Sequence, residues 1–505
     1  RLTDEQVREK VGLQKADVYL KAQADRGARE IAQLYRERGY VDAAVRQNPR
    51  FTSKKEDHLV EVEYQITEGR QFRIGRIDIT GNEQTQDKVV RRVLDEYGFT
   101  PGELYNAGIA PKEGNGLLEK YVQRAATAQA AVIRPVNPPE EDPNRKDVRV
   151  DIEEGMTGMI RPGVGFSSDS GVIGQLIYQQ RNFDISDWPQ SLDEWFHPWR
   201  VFRGAGQTLN ISLEPGTRYS QYYVNFIDPY WRDIPVSFDA TGRLWERFRE
   251  SYDEKRLKGA FAFEQRLEND WRRSIGFRAE NVGVEDLDFD APREIREVEG
   301  DTQLFGVRFG VGAIAVDDRY DPSRGHSINA FYEQVTGDDA FGILEGSFVQ
   351  YFPLHEDVLG RKTVLAFKVL AGTTVGDAPP FEKFYAGGTG RYGLRGFEYR
   401  GVSTRGLQTN VPDPQRKDPI GSDWVFLAGT ELTVPLVGEN FNALFFLDSG
   451  TIDTGSYRLS IGTGIEIKVP QIFGNIPMRF EIATPLLKDD EDETQVFSFS
   501  GGGLF

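Results

Sequence analysis

The densest grouping of residues that could do chemistry is "GGTGRYGLRGFEYRGV", residues 387–402, with six glycines and three arginines in sixteen positions. Gly388, Gly390 and Gly393 spell G-x-G-x-x-G, a phosphate-cradling fingerprint when it leaves a strand and opens a helix. Here "LRGFEYRGVSTRG" follows, with no helical period and three more glycines. No G-x-x-x-x-G-K-[ST] occurs, so neither a nucleotide nor an ATP-driven step is encoded. No G-x-S-x-G places a serine nucleophile, and with no cysteine there is no thiolate, disulfide or zinc-thiolate site. The four histidines (His58, His197, His326 and His355) are scattered without a metal-ligand spacing. The acidic stretches 285–301 and 489–493 lack calcium-loop spacing and read as solvated external loops. The expectation is therefore a protein that is not an enzyme and holds no cofactor or metal.

The elements that carry this loop define the class. Lys and Arg number 61 against 79 Asp and Glu, a formal charge of −18, which disfavours binding to nucleic acid. No apolar run reaches the length of a membrane helix. The chain begins at Arg1 in mid-pattern, so it is expected to be a fragment or processed form. Up to about residue 155 helical and strand patterns mix in the order helix, helix, strand, strand, then strand, helix, helix, strand, strand. From about residue 158 the hydrophobic period becomes 2 and stays there. In "YRLSIGTGIEIKV" Tyr457, Leu459, Ile461, Ile465, Ile467 and Val469 alternate with small or polar residues. Sixteen such segments recur about 22 residues apart, with tight turns such as 267–270 alternating with long polar loops such as 284–302. Arg, Lys and Glu fall on the non-apolar face, tolerable in a wet lumen and costly against lipid.

The fold expected is an all-β transmembrane barrel of 16 antiparallel strands, preceded by α+β modules. Residues 1–69 form the first module, incomplete at its N-terminus, and 70–156 the one adjacent to the barrel. Residues 157–505 form the barrel, with an inward-folding loop over 376–422. The closing strands are weak on paper: Gly158, Pro162, Gly163 and Gly165 in the first, and Gly501, Gly502 and Gly503 in the last. Glycine and proline both weaken a ladder. The terminal Phe505 shares parity with Phe497 and Phe499 and reads as an interfacial anchor.

Leu394, Arg395, Gly396 and Phe397, preceded by "AGG", resemble the [VIL]-R-G-F/Y loop tetrad of the superfamily of POTRA-domain outer-membrane barrels, and within it the BamA-like assembly factors. "FFLDSG" resembles that family's F-x-D-x-G strand at Phe446, Asp448 and Gly450, and "GTELTVP" its preceding strand, with Glu431. "YRERGY", "EGRQFRIGRIDITGN" and "FIDPY" match as well, so the resemblance covers essentially the whole chain. Two departures stand out. The second module reads "QRAATAQAAVI" where a Gly-aromatic pair is expected after its second helix. The Trp-rich turn 184–202 has no counterpart of known role.

The resemblance implies a protein of the bacterial outer membrane, its POTRA modules in the periplasm, that folds and inserts other β-barrels without ATP. POTRA strand edges would receive unfolded clients, and a lateral gate between first and last strands would release them into outer-membrane lipid. Periplasmic lipoproteins would be accessory partners. A two-partner secretion or autotransporter-assembly transporter is the alternative within the superfamily; a passive porin would need no POTRA modules. Arg395 is expected to reach Glu431 and Asp448 in the lumen, because a buried guanidinium needs carboxylates. Gly390, Gly393 and Gly396 would turn the loop, and Phe397 would pack near Phe446.

Overall fold

A computed structural model describes residues 2–11, 19–51, 59–111, 116–137, 142–196, 201–267, 269–318, 321–357, 360–438, 440–468 and 477–501. It divides into two compact units, one of residues 1–158 with 180–208, the other of 159–179 with 209–505.

In the first unit the order of elements is the one the periodicity predicts. Helices α1 (Asp4–Val11) and α2 (Lys21–Arg36) precede an antiparallel pair, β1 (Ala44–Phe51) and β2 (Val60–Thr67). The α2 face of Ala24, Ala28, Ile31, Ala32 and Tyr35 is buried, and Gly39, at φ +86°, ends the turn beyond it. The next module runs β3 (Arg73–Thr80), α3 (Asp87–Glu96), α4 (Leu117–Ala126), β4 (Ala128–Val136) and β5 (Arg145–Glu154). Its sheet order is β3-β5-β4, with β3 parallel to β5. Val90, Val93 and Leu94 of α3 and Leu118 and Val122 of α4 pack on Ile74, Ile133, Val148 and Val150. Where a glycine was expected after α4, Thr127 takes the left-handed conformation at φ 52° and its N–H closes the helix.

The barrel is closed. Its first strands are β6 (Gly158–Ser167), β7 (Gly171–Phe183), β8 (Gln207–Glu214) and β9 (Tyr219–Asp228). Then come β10 (Val236–Phe248), β11 (Asp253–Arg266), β12 (Trp271–Glu285) and β13 (Gly300–Val316). The sequence continues through β14 (Gly325–Gly337), β15 (Phe341–Glu356) and β16 (Lys362–Val375). A loop carrying the small hairpin β17 (Arg405–Leu407) and β18 (Arg416–Pro419) follows. The wall closes with β19 (Trp424–Val437), β20 (Phe441–Ile452), β21 (Tyr457–Lys468), β22 (Pro477–Leu487) and β23 (Phe497–Gly501). The sixteen-stranded antiparallel barrel is thus present, with the glycine-arginine loop between its eleventh and twelfth strands. Among the described residues no helix is long and apolar enough to cross a membrane.

Residues 180–208, expected within the barrel domain, belong to the first unit. Asn182 Nδ2 donates to Thr85 Oγ1 (2.8 Å) and Asn182 Oδ1 accepts from the Gly206 N–H (2.8 Å). Gln86 Nε2 donates to Asp184 Oδ2 at 2.6 Å. Polar side chains, invisible to a periodicity argument, therefore hold this turn to the second module. Trp188 packs edge-on against Phe202 within it; His197 and Trp199 lie outside the described residues.

Candidate functional site

The loop enters the barrel because its apolar residues have a core to fill there. Leu394 and Phe397 are fully buried with Phe384, Ala386 and Val402 of the loop and Leu370, Val425, Leu427 and Ile452 of the wall. Its turns are made by Gly387 (φ +121°), Gly388 (φ +70°) and Gly396 (φ +94°). Gly390 and Gly393 do not take positive φ, so two of the three expected turn glycines are replaced by neighbours. At Gly396 an added Cβ would come within 3.2 Å of Ser460 Cβ and 3.4 Å of Ala483 Cβ, so glycine is also needed for approach to the wall.

That approach delivers Arg395, 5% exposed, to three carboxylates. Its Nε and Nη2 donate to the two oxygens of Asp448 at 2.6 and 3.0 Å, a bidentate fork, and its backbone N–H points at Asp448 as well (3.3 Å). Nη1 donates to Glu431 Oε2 at 2.6 Å and to Glu481 Oε1 at 2.9 Å. The guanidinium lies over the Phe446 ring, 3.5 Å from its centroid. Phe446 therefore serves Arg395, whereas Phe397 packs in the apolar cluster. Burial opposes the charge on Arg395, but the carboxylates outweigh it and hold the guanidinium more firmly protonated than a free arginine.

The sequence reading found Glu431 and Asp448 and missed Glu481, which lies on the lumen parity of β22, two strands from Asp448. That parity was the available signal. Gly450 stands in β20 opposite Leu427; a Cβ there would meet the Leu427 side chain at 2.5 Å, which explains the glycine of that strand motif. The acidic stretch 489–493 is not simply solvated. Asp492 is buried and accepts a fork from Arg458 at 2.9 and 3.0 Å.

A second clasp was not foreseen. Glu382, in the short turn Pro380–Glu382 of the same loop, has its side chain 5% exposed against the wall of β11 and β12. Arg256 Nη1 donates to it at 2.5 Å and Arg278 Nη2 at 2.7 Å. Burial favours its neutral form, yet the two arginines hold it below the usual carboxylate range. The arginines are paired on the wall too, Arg256 with Glu254 (2.7 Å) and Glu280 (3.3 Å), Arg278 with Glu280 (2.7 Å) and Glu333 (2.6 Å). Nearby, Arg391 and Tyr392 of the loop both bind Glu345.

The seam is the other expected site. Between the described residues, β23 and β6 share two residue pairs, Ser500 with Ser167 and Gly501 with Phe166. The Ser168 N–H also donates to the Phe499 carbonyl at 3.1 Å, and the pairing runs to the last described residue of β23. Gly158 and Pro162 are exposed, Gly163 is half-buried and Gly165 buried. Phe166 and Phe499 meet across the junction at 5.3 Å. Gly502, Gly503 and Phe505 lie outside the described residues.

A closed sixteen-stranded barrel with α+β modules ahead of it and a loop bolted inside defines a POTRA-bearing outer-membrane barrel protein. The Omp85 superfamily domain matches residues 202–505, and POTRA, described as a surface antigen variable number repeat, matches 1–69 and 72–155. The chain belongs to the Omp85 superfamily. It is 25% identical to the outer membrane protein assembly factor BamA of Nitratidesulfovibrio vulgaris, over 94% of this chain and 56% of that protein. It is 24% identical to BamA of Neisseria meningitidis, over 92% and 60%. The chain thus spans less than two thirds of the length of these relatives. In fold it is similar to the crystal structure of Haemophilus ducreyi BamA lacking POTRA domains 1–3, with a TM-score of 0.68 at 20% identity, covering 98% of this chain and 96% of that one. CdiB of Acinetobacter baumannii shares the fold at a TM-score of 0.55 and 11% identity, over 99% and 87%.

Proposed function

We propose that this protein folds and inserts β-barrel proteins into the outer membrane, and that no covalent chemistry is involved. The observation that carries the reading is the loop bolted into the lumen, where Arg395 of the superfamily's tetrad forks onto Asp448 and reaches Glu431 and Glu481. Kinship with the BamA assembly factors supports it.

In this mechanism unfolded barrel clients first meet the POTRA edges. β4 flanks the sheet of the second module, whereas the outer edge of β3 is partly taken, Ile74 bonding Glu103 and Gly102; among the described residues β1 and β2 form a two-stranded sheet with an edge on each side. Such edges offer unpaired N–H and C=O groups to an incoming strand. Lipoprotein subunits of the periplasm would organise this step. The seam then parts, because glycines and a proline in its strands weaken the ladder, and the exposed edge of β6 templates a client strand at the lipid boundary. The bolted loop keeps the rest of the wall in shape while the seam is open.

The cysteine-free chain allows a direct test. Ser167→Cys with Ser500→Cys would cross-link one of the seam pairs. Oxidation is expected to halt assembly of many outer-membrane barrels, and reduction to restore it; unimpaired assembly with the seam covalently shut would sink the gate. Depleting the protein separates the readings of the superfamily: a broad loss of barrels fits an assembly factor, and loss of a single secreted protein fits a dedicated transporter.

A further inference from the structure

The outward face of β9 to β13 carries a feature that neither clasp nor seam uses. Strand register lays residues in rows across the wall. One row runs Val224, Gly242, Gly259, Ala279, Phe305, and the row before it Phe226, Ala240, Phe261, Phe277, Val307. Three neighbouring strands thus place Gly or Ala side by side, and the wall recedes by the depth of a side chain. A Cβ built on Gly242 or Gly259 meets nothing within 4 Å, so both open outward. With Phe226, Phe238, Phe261, Phe277 and Phe305 as walls, the result is an almost wholly apolar trough of about 1030 Å³.

Its mouth is aromatic and cationic. Trp231, in the turn between β9 and β10, lies 4.4 Å from Phe238, and the Arg232 guanidinium sits 5.9 Å from the Trp231 ring. Register aligns Val236, Gln265 and Arg273 in the row nearest that turn, and Arg273 donates to Gln265 Oε1 at 2.9 and 2.6 Å. Arginine on a lipid face is costly at mid-depth and nearly free at the interface, so this row marks the headgroup level. From Arg273 to Ala279 is six residues, about 20 Å of strand, which a tilt near 40° turns into roughly 15 Å of depth. That is about half of a ~30 Å hydrocarbon core, the span of one leaflet.

We propose that this trough is a binding site for a phospholipid with an anionic headgroup, drawn from the leaflet at the POTRA end of the barrel. One acyl chain lies over Ala240, Gly242, Gly259 and Ala279, and the phosphate is met by Arg232 and Arg273. A flexible chain fills a recessed apolar slot that the flat bilayer would otherwise have to deform to wet, and the paired cations complement the headgroup charge. The inference rests on the barrel's place in the membrane, not on the assembly activity.

The test uses the full chain in vesicles of phosphatidylethanolamine and phosphatidylglycerol, with a trace of phosphatidylglycerol bearing a diazirine at one acyl terminus. After irradiation, mass spectrometry maps the adducts. They are expected on 238–242, 259–263 and 275–279 at about fivefold the level on the outward positions of β19 to β22, a preference equivalent to a local affinity gain below one tenfold step. Gly242→Leu with Gly259→Leu should bring that excess to background, and Gly259→Val alone should roughly halve it. Both variants point into open space, so heat-modifiable mobility should report a folded barrel. Arg232→Glu with Arg273→Glu should lower the labelling about threefold or more. Even labelling around the barrel overturns the site, as does unchanged labelling in the arginine variant. Chain-to-chain cross-links through Gly242 in place of lipid adducts would assign the trough to a second copy and overturn it too.

Discussion

The loop is held by two clasps of opposite polarity, and they are not equivalent. In one, a loop arginine enters a wall of carboxylates; in the other, a loop carboxylate enters a wall of arginines. The wall around Glu382 is already paired within itself, since Arg256 and Arg278 each keep partners on β11, β12 or β14 when the loop is ignored. The wall around Arg395 is not balanced in that way. Asp448 has Lys368 only at 3.7 Å, and Glu431 has Arg479 at 3.1 Å. The first clasp therefore depends on the loop, and the second merely accepts it. This difference explains why the arginine, and not the glutamate, sits in a recognisable motif: its loss leaves buried charge uncompensated.

The largest effect should come from Arg395→Ala. It leaves Asp448, 1% exposed, with only Lys368 at 3.7 Å and takes the guanidinium from Glu481, 3% exposed; a broken buried pair of this kind costs about 3–5 kcal/mol. The folded, heat-modifiable band should disappear at a clearly lower temperature, and the assembly proposed above should fall with it. Unchanged behaviour would show that the Arg395 clasp does not hold the loop. Exchanging the charges, Arg395→Asp with Asp448→Arg, should recover part of the loss if the contact is direct.

Glu382→Gln should cost less, about 1–2 kcal/mol, because Arg256 and Arg278 retain their wall partners and only charge-assisted hydrogen bonds weaken. A loss as large as that of Arg395→Ala would show that the two clasps are equal after all.

A carboxylate without any clasp sets the lower end of the scale and reverses the sign. Glu119 of α4 is 2% exposed, and among the described residues neither of its oxygens has a hydrogen-bond partner. Burial pushes its acid above the ordinary value of 4.5; the backbone N–H groups of Glu119, Ile133 and Gly116 pull the other way but do not align as hydrogen bonds. The folded module thus binds the proton more tightly than the unfolded chain. Its stability is highest below pH 4.5 and declines as pH rises through the raised folded value. Glu119→Gln should therefore stabilise the module at neutral pH by about 1 kcal/mol, with the gain shrinking toward pH 4. Thermal unfolding at several pH values reads this directly, and a variant that tracks the parent at every pH would contradict it.

Much of the architecture could be read before folding because a barrel wall repeats one local rule. Alternation at Tyr457, Leu459, Ile461 and Ile465 marks a lipid face wherever it occurs, so the strands can be counted. Arg395, Glu431 and Asp448 were legible for a different reason, as parts of a recognised pattern. Glu382 was not, because nothing in "PFEKF" distinguishes it and its partners lie 126 and 104 residues away. The attachment of residues 180–208 to the second module escaped as well, since it rests on single side chains such as Asn182 and Gln86.

The sequence by itself determined the strands, their inward and outward faces, the modules ahead of them and the need of one buried arginine for carboxylates. These follow from period, turn chemistry and the cost of an unpaired charge, all of which act over a few residues or on one side chain. Only the tertiary structure decided which carboxylates answer, that a second clasp of opposite charge exists, and that small residues on three strands fall into one row. Those depend on register and closure, which bring together residues far apart in the chain and carry no local mark. The glycines of the loop show both sides: their number announced tight turns, and the packing decided which must stay bare, since a Cβ on Gly387 would lie 2.0 Å from the Glu398 carbonyl oxygen and one on Gly396 3.2 Å from Ser460 Cβ.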